Sequence, residues 1–230
     1  MHFLLLGTTG RTGQHVLATL LSQNHTATAL VRDPSKLTPH PNLTITTGSP
    51  LSRSDVTTAL SATTPNLIPS AAIITLNTLR ASDSPFAAQI SPPRFLADCV
   101  ATTCAVLEEH GVHRVVVMST AGVGDSWGSL PLVSRLFMRW TNVKYALEDH
   151  GIVDSEMRTR EGMEWTLVRA VKLRFEGETG ERKEVEMLGS TGGGMTVRDS
   201  VGVESVARFL VKVAVEGLFV REAVVVRDLC

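Results

Sequence analysis

One segment has the residue types and spacing to hold an anion: Gly7-Thr8-Thr9-Gly10-Arg11-Thr12-Gly13, with glycines at i, i+3 and i+6. It follows a short apolar run, His2 to Leu6, and precedes a stretch in which Val16, Leu17, Leu20 and Leu21 recur at helical spacing. In such a strand-turn-helix, Gly7 permits the tight turn, Gly10 lets the main chain approach a pyrophosphate, and Gly13 lets the helix pack closely on the strand. Thr9, Arg11 and Thr12 fill the places between, where main-chain N–H groups and the positive helix end face the anion. A glycine-rich turn without a ligand is the plainer alternative.

Thr26 to Val31 forms a second apolar run, and Arg32 stands at its end. An acidic residue there would bond a ribose 2'-hydroxyl and repel a 2'-phosphate, so arginine favours NADP(H) over NAD(H). Arg11 and Lys36 could add positive charge around that phosphate, although a lone lysine is more often a solvated surface cation and Asp33 opposes the count.

These groups need a scaffold. Strands are expected at His2–Leu6, Thr26–Val31, Leu43–Thr47, Ala71–Leu76, Val115–Met118, Trp165–Val168 and Ala223–Val226. Between them, helical patterns run from Thr12 to Ser22, from Ser54 or Asp55 to Ala62, and from Phe95 to His110. Further helices are expected over Leu132–Trp140, Lys144–Arg160 with an interruption at Gly151, and Val203–Glu216. This alternation specifies an α/β architecture: a Rossmann doubly wound parallel sheet with helices on both faces. The whole chain, 1–230, is expected as one domain, with a small C-terminal substrate lobe inserted at about 169–201. Within it, Arg174 to Met187 is a hairpin candidate with a solvated charged face. Asn77 to Pro93 is a long polar loop of the kind that carries function.

Composition narrows the classes. The 230 residues carry 22 Lys+Arg against 23 Asp+Glu, a net charge of -1, which leaves no basic excess for nucleic acid. No run approaches the ~20 apolar residues of a membrane span, so no membrane partner is expected. Three cysteines without metal-ligand spacing fit free thiols in a reducing, cytoplasmic compartment, and no metal site is expected. No heptad pattern demands a dimer; a monomer is the default, with a homodimer left open.

With those residues in hand, the chain resembles the NAD(P)H-binding, NmrA-like branch of the atypical short-chain dehydrogenases, which includes the flavin/biliverdin-IXβ reductase type. The likeness covers nearly the whole chain and rests on GTTGRTG at Gly7–Gly13, LVRDPSKL at Leu30–Leu37, HGVHRVVVMSTAGVGDS at His110–Ser126 and GMEWTLVRA at Gly162–Ala170. It implies that Leu76, Asn77 and Arg80 run along the cofactor, that Ser119 lies beside the nicotinamide, and that Val171 approaches the carboxamide through its main chain. Two departures stand out: Ser49 where relatives carry an acidic residue near the adenine, and Arg169-Ala170 where Arg-Pro is usual. The tyrosine-lysine proton relay of typical short-chain dehydrogenases is also absent, because Asp149 stands four residues after Tyr145, the sole tyrosine.

Ser119 and Tyr145 are therefore the catalytic candidates. Thr120, Asp125 and Ser126 are secondary ones, and His150 lies close to Tyr145 in sequence. His110 and His113 suit helix capping, the run Glu148, Asp149, Asp154 and Glu156 is expected to be one solvated helix face, and Trp127, Phe137, Met138 and Trp140 surround the loop of the substrate site. Three functions fit: an NADPH-dependent oxidoreductase acting on a small cyclic or aromatic molecule, a non-redox isomerase, dehydratase or cyclase on the same fold, or an NADP-sensing regulatory binding protein.

Overall fold

The computed structural model describes residues 1–62, 68–175 and 184–229. The elements run β1 (His2–Leu6), α1 (Arg11–Ser22), β2 (Thr26–Val31), β3 (Leu43–Thr47), α2 (Arg53–Ser61), β4 (Ala71–Ile74), α3 (Phe95–Glu109) and β5 (Arg114–Thr120). They continue with α4 (Leu132–Trp140), α5 (Val143–Arg158), β6 (Glu164–Ala170), β7 (Lys172–Arg174), β8 (Val185–Met187), β9 (Ser200–Gly202), α6 (Val203–Glu216) and β10 (Glu222–Asp228). Eight strands form one sheet in the order β3-β2-β1-β4-β5-β6-β10-β8. Every neighbouring pair is parallel except β10 with β8.

The first strand shows why the sequence folds this way. Phe3 and Leu5 pack with Val16 and Leu20 of α1 and Val206 and Leu210 of α6. Leu4 and Leu6 point to the other face and meet Leu96 and Val100 of α3 and Val153 of α5. Helices cover both faces, so the strand is apolar at every position after His2. From β1 the chain goes out to β2 and β3, then returns to β4 on the other side of β1. The order reverses between β1 and β4, and in an open α/β sheet that reversal is where a crevice forms, at the carboxyl ends of the two strands. This is the Rossmann-type α/β sheet.

Several elements differ from the sequence expectation. β5 and β6 outrun their apolar cores, and each extension contains a buried arginine, Arg114 and Arg169. The Arg114 guanidinium donates to the carbonyls of Glu164 at 2.7 Å, Val213 at 3.0 Å and Leu218 at 2.7 Å. α5 continues through Gly151: glycine costs a helix about 1 kcal/mol, which the buried residues Val153 and Met157 offset. The expected hairpin over Arg174–Met187 is not formed by its ends, because β7 pairs with β9 and β8 pairs with β10. Its centre, 176–183, lies outside the described residues. No helix among the described residues is long and apolar enough to cross a membrane.

The acidic run on α5 is not one solvated face. Asp149 and Asp154 are buried, and Glu156 reaches Arg94 at 2.8 Å. Asp149 serves α3, whose N-cap residue Arg94 is left-handed (φ 63°) and offers no side-chain acceptor. Its carboxylate oxygens accept from Leu96 N–H at 2.8 Å and Ala97 N–H at 2.9 Å, doing from another helix what a cap does locally. Asp149→Ala should therefore lower stability by about 2 kcal/mol in urea unfolding, while Glu148→Ala should stay within about 0.5 kcal/mol; equal effects would refute the cap.

Candidate functional site

The glycine loop sits at the carboxyl end of β1, in the crevice. Gly7 is left-handed (φ +87°), and a Cβ there would lie 2.7 Å from the Thr75 carbonyl carbon just past β4. A Cβ on Gly13 would lie 2.1 Å from the Gly7 carbonyl oxygen, so α1 can seat on the strand end only with glycine. Gly10 is less constrained by the protein itself, with its Cβ contact at 3.2 Å, which fits a position kept small for something outside the chain. No side chain caps α1 and its first turn holds no acidic residue, so its positive end is left for an external anion. Thr8 is buried in the loop with its Oγ1 unpartnered. Arg11 is engaged elsewhere: it pairs with Asp83 of the 77–93 loop at 2.9 Å, and its guanidinium carbon lies 3.6 Å from the Phe175 ring centroid.

At the end of β2 the two opposed charges have separate fates. Asp33 Oδ1 accepts from the Ser35 hydroxyl at 2.6 Å and from Ser35 N–H at 3.1 Å, and those bonds hold the carboxyl below its ordinary range. Arg32 is exposed and has no hydrogen bond or ion pair among the described residues; Lys36 is likewise exposed and unpaired. Past β3, Asp55 Oδ2 accepts from Ser49 N–H at 2.8 Å, so the carboxylate at this turn comes from six residues further on.

Toward β4 and β5, the residues implied by the likeness take up varied roles. Leu76 packs against the core formed by Leu4 and Leu6. Asn77 Oδ1 accepts from Thr78 N–H at 2.8 Å, and Arg80 donates to the Ser84 carbonyl at 2.8 Å, ordering the long loop from within. Ser119 is buried near the carboxyl end of β5, and its Oγ has no partner among the described residues. Val171 gives its N–H to the Val226 carbonyl at 3.2 Å. Tyr145, in the first turn of α5, is 39% exposed with a hydroxyl free of partners among the described residues. Lys144 Nζ lies 5.0 Å from its ring centroid. Asp149, at the relay-lysine position, is spent on the α3 cap. His150 is wholly buried, which lowers its pKa to about 4 and makes it a neutral core residue rather than a proton donor.

An ion network with a buried half, Arg169 and Asp154, and an exposed half, Arg158 and Asp125, lies under the loop after β5 and escaped the sequence reading. Arg169, 0% exposed on β6, donates to Asp125 at 2.5 Å, to Asp154 at 2.5 Å and to the Ser190 carbonyl at 2.8 Å. Arg158 closes the ring, reaching Asp154 at 3.0 Å and Asp125 at 3.1 Å. Partial burial raises the Asp125 pKa, but the hydrogen bond and charge of Arg169 outweigh it and leave the carboxyl below its ordinary range. A Cβ on Gly124 would come within 2.5 Å of Asp154 Oδ2, so this glycine belongs to the network. Asp125 and Ser126 are thus turn formers: Ser126 Oγ accepts from Gly122 N–H and donates to the Val123 carbonyl. The only sequence hints were a charged residue ending an apolar strand and carboxylates at helical spacing on α5.

A cavity of about 230 Å³ lies between this loop, α4 and α5, lined by Gly122, Trp127, Met138 and Leu147 with Arg139, Lys144 and Glu148. Trp127 and Met138 line it as expected; Phe137 and Trp140 face solvent instead. Among the described residues, no group of three or more His, Cys, Asp or Glu could hold a metal ion.

A bare helix start on a glycine turn at the sheet's switch point, with unpartnered buried hydroxyls on Thr8 and Ser119, fits a nicotinamide dinucleotide. The chain belongs to the NAD(P)H-binding family, whose model matches residues 7–216. Among solved structures it is similar to ChuY, an anaerobilin reductase from Escherichia coli O157:H7, at 17% identity over 99% of this chain and 97% of that one, with a TM-score of 0.74. It is also similar to the oxidoreductase ylbE from Lactococcus lactis, at 13% identity over 99% and 91% of the chains, TM-score 0.72. A candidate NADH-flavin reductase from Streptococcus pneumoniae matches at 15% identity over all of both chains, TM-score 0.70. At these identities the likeness is one of fold. No curated protein sequence matches.

Two outcomes follow. Gly13→Ala should destabilise the protein by about 1–3 kcal/mol and abolish any thermal stabilisation by a reduced nicotinamide dinucleotide, whereas Gly193→Ala, which meets nothing within 4 Å, should leave both intact. For His150, the unfolded chain takes up a proton near pH 6.5 and the folded one only near about 4. Stability is thus full above the unfolded value and falls as pH drops toward the folded one, by about 2 kcal/mol between pH 7 and pH 5. His150→Leu should remove that part of the slope in urea titrations; an unchanged slope would place the effect elsewhere.

Proposed function

We propose that this protein is an NADPH-dependent reductase of a small cyclic or aromatic organic molecule. The observation that carries the reading is the crevice itself: an uncapped α1 seated on glycines, with buried hydroxyls lacking partners on Thr8 and Ser119. When bound, the reduced nicotinamide supplies a hydride, and the chain's contribution is to bind, orient and exclude water. Gly7, Thr9, Gly10, Arg11, Thr12 and Gly13 form the pyrophosphate cradle. Arg32, which has no partner among the described residues, and Lys36 bind the 2'-phosphate; Asp33, turned onto Ser35, does not repel it. Leu76, Asn77 and Arg80 flank the dinucleotide, and Ser119 with the Val171 main chain holds the nicotinamide end. The cavity beside Trp127 and Met138 takes the substrate ring. Hydride addition also requires one proton, which comes from the Tyr145 hydroxyl or from water.

A second reading is supported by one observation. Asp149 is committed to α3, so Tyr145 has no partner four residues on, which suits an NADP-sensing protein that binds without turnover. Titration of NADPH and NADH, followed by assay of NADPH with a panel of flavins, quinones and enones, separates the two. Reduction should consume NADPH with at least one acceptor. Arg32→Glu should weaken NADPH binding by about 10- to 100-fold and NADH binding little; equal losses for both cofactors would remove the assignment of Arg32. Tight binding with no turnover across the panel would favour the sensor.

A further inference from the structure

No residue of α4 is fully buried. Its large apolar side chains, Leu132, Val133, Leu136, Phe137 and Trp140, recur at i, i+1, i+4, i+5 and i+8, one stripe along the helix. All five are exposed, Val133 at 70% and Trp140 at 83%. Exposed Phe86 is drawn alongside, because Asn142, two residues past α4, donates to the carbonyls of Phe86 at 3.0 Å and Ala87 at 3.1 Å. Scattered exposed apolar residues need no explanation, but a contiguous stripe with aromatic tips marks an interaction surface.

The charges beside the stripe identify its occupant. From Leu130 to Leu147 the chain has no carboxylate and three cations, Arg135, Arg139 and Lys144. Arg135 is bonded only to the carbonyls of Leu130 and Gly128, Arg139 stands 5.4 Å from the Trp127 ring centroid, and Lys144 stands over Tyr145. None has a carboxylate partner among the described residues, whereas Arg11, Arg94, Arg158, Arg169 and Arg227 each have one. Acids of the flanking segments include Glu148, at the cavity, Asp83, paired with Arg11, and Asp125, paired with Arg158 and Arg169. Helical spacing sets Arg135 and Arg139 along one border of the stripe. In a two-fold dimer through this face, the unneutralised cations of both copies would be brought together.

We propose that α4 docks the protein on an anionic phospholipid surface. The stripe enters the boundary between headgroups and acyl chains, and Arg135, Arg139 and Lys144 meet the lipid phosphates. The expectation of no membrane partner rested on the absence of a spanning segment, and a nine-residue surface helix can dock without spanning. Met138 and Arg139 of the same helix line the 230 Å³ cavity, so docking sets that cavity beside the bilayer.

Flotation of the full chain with vesicles tests this without reference to the cofactor. Binding is expected to vesicles of equal parts phosphatidylcholine and phosphatidylglycerol, with a blue shift of tryptophan emission. It should be much weaker to pure phosphatidylcholine and weakened by high salt. The variants Phe137→Asp and Trp140→Ala change exposed residues; each should retain the wild-type melting temperature and lose affinity roughly tenfold or more. Absence of binding to the anionic vesicles, or undiminished binding by correctly folded variants, would overturn the proposal. So would a concentration-dependent dimer that Phe137→Asp dissolves, which would give the face to a second copy.

Discussion

The missing side chain at Gly13 is the contact on which the crevice depends. With no Cβ there, the first turn of α1 seats against the Gly7 carbonyl, at a distance no other residue could tolerate. Gly7 in turn lies against the chain leaving β4, so one main-chain junction ties β1, α1 and β4 together at the point where strand order reverses. The same junction aims the uncapped helix start into the crevice. A side chain at Gly13 would push α1 off the strand end, and one at Gly7 would strike the main chain of Thr75 and Leu76.

The far side of the site is organised by charge rather than by close approach. Arg169, Asp154, Arg158 and Asp125 form a closed set of ion pairs joining β6, α5 and the loop after β5, and the Ser190 carbonyl extends it toward β8. Burying such groups costs desolvation that their attraction roughly cancels, so the network adds little net stability while making each member hard to remove. Its effect is geometric: it fixes the loop that follows Ser119 and lines the cavity. The α5 carboxylates divide by direction, with Asp149 holding the start of α3 and Asp154 holding Arg169.

How much of this the sequence displayed depended on whether the determinants were local. β1, β2 and β3 begin and end where the sequence pattern and its Gly, Pro and Asn punctuation place them: β1 and β2 are inner strands with nearly continuous burial, and β3, at the sheet edge, keeps a strand's alternation of Leu43 and Ile45 with threonines. The glycine loop was legible for the same reason, since its spacing and its flanking strand and helix lie within one short segment. Asp149 bonds residues 53 and 52 positions away and Arg169 bonds residues 44 and 15 away, and no single-sequence pattern marks such pairs. A buried arginine ending a strand has the same letter as a solvated one. The exposed stripe on α4 had an ordinary amphipathic pattern, and only the fold revealed that its apolar side is exposed.

The most direct measurement is a crystal structure of the protein grown with NADPH. The account predicts the pyrophosphate at the start of α1, within hydrogen-bonding reach of the main-chain N–H groups of Arg11 and Thr12, with the 2'-phosphate beside Arg32 and the nicotinamide beside Ser119. A dinucleotide lodged away from the Gly7–Gly13 turn, or an empty crevice at saturating NADPH, would contradict it.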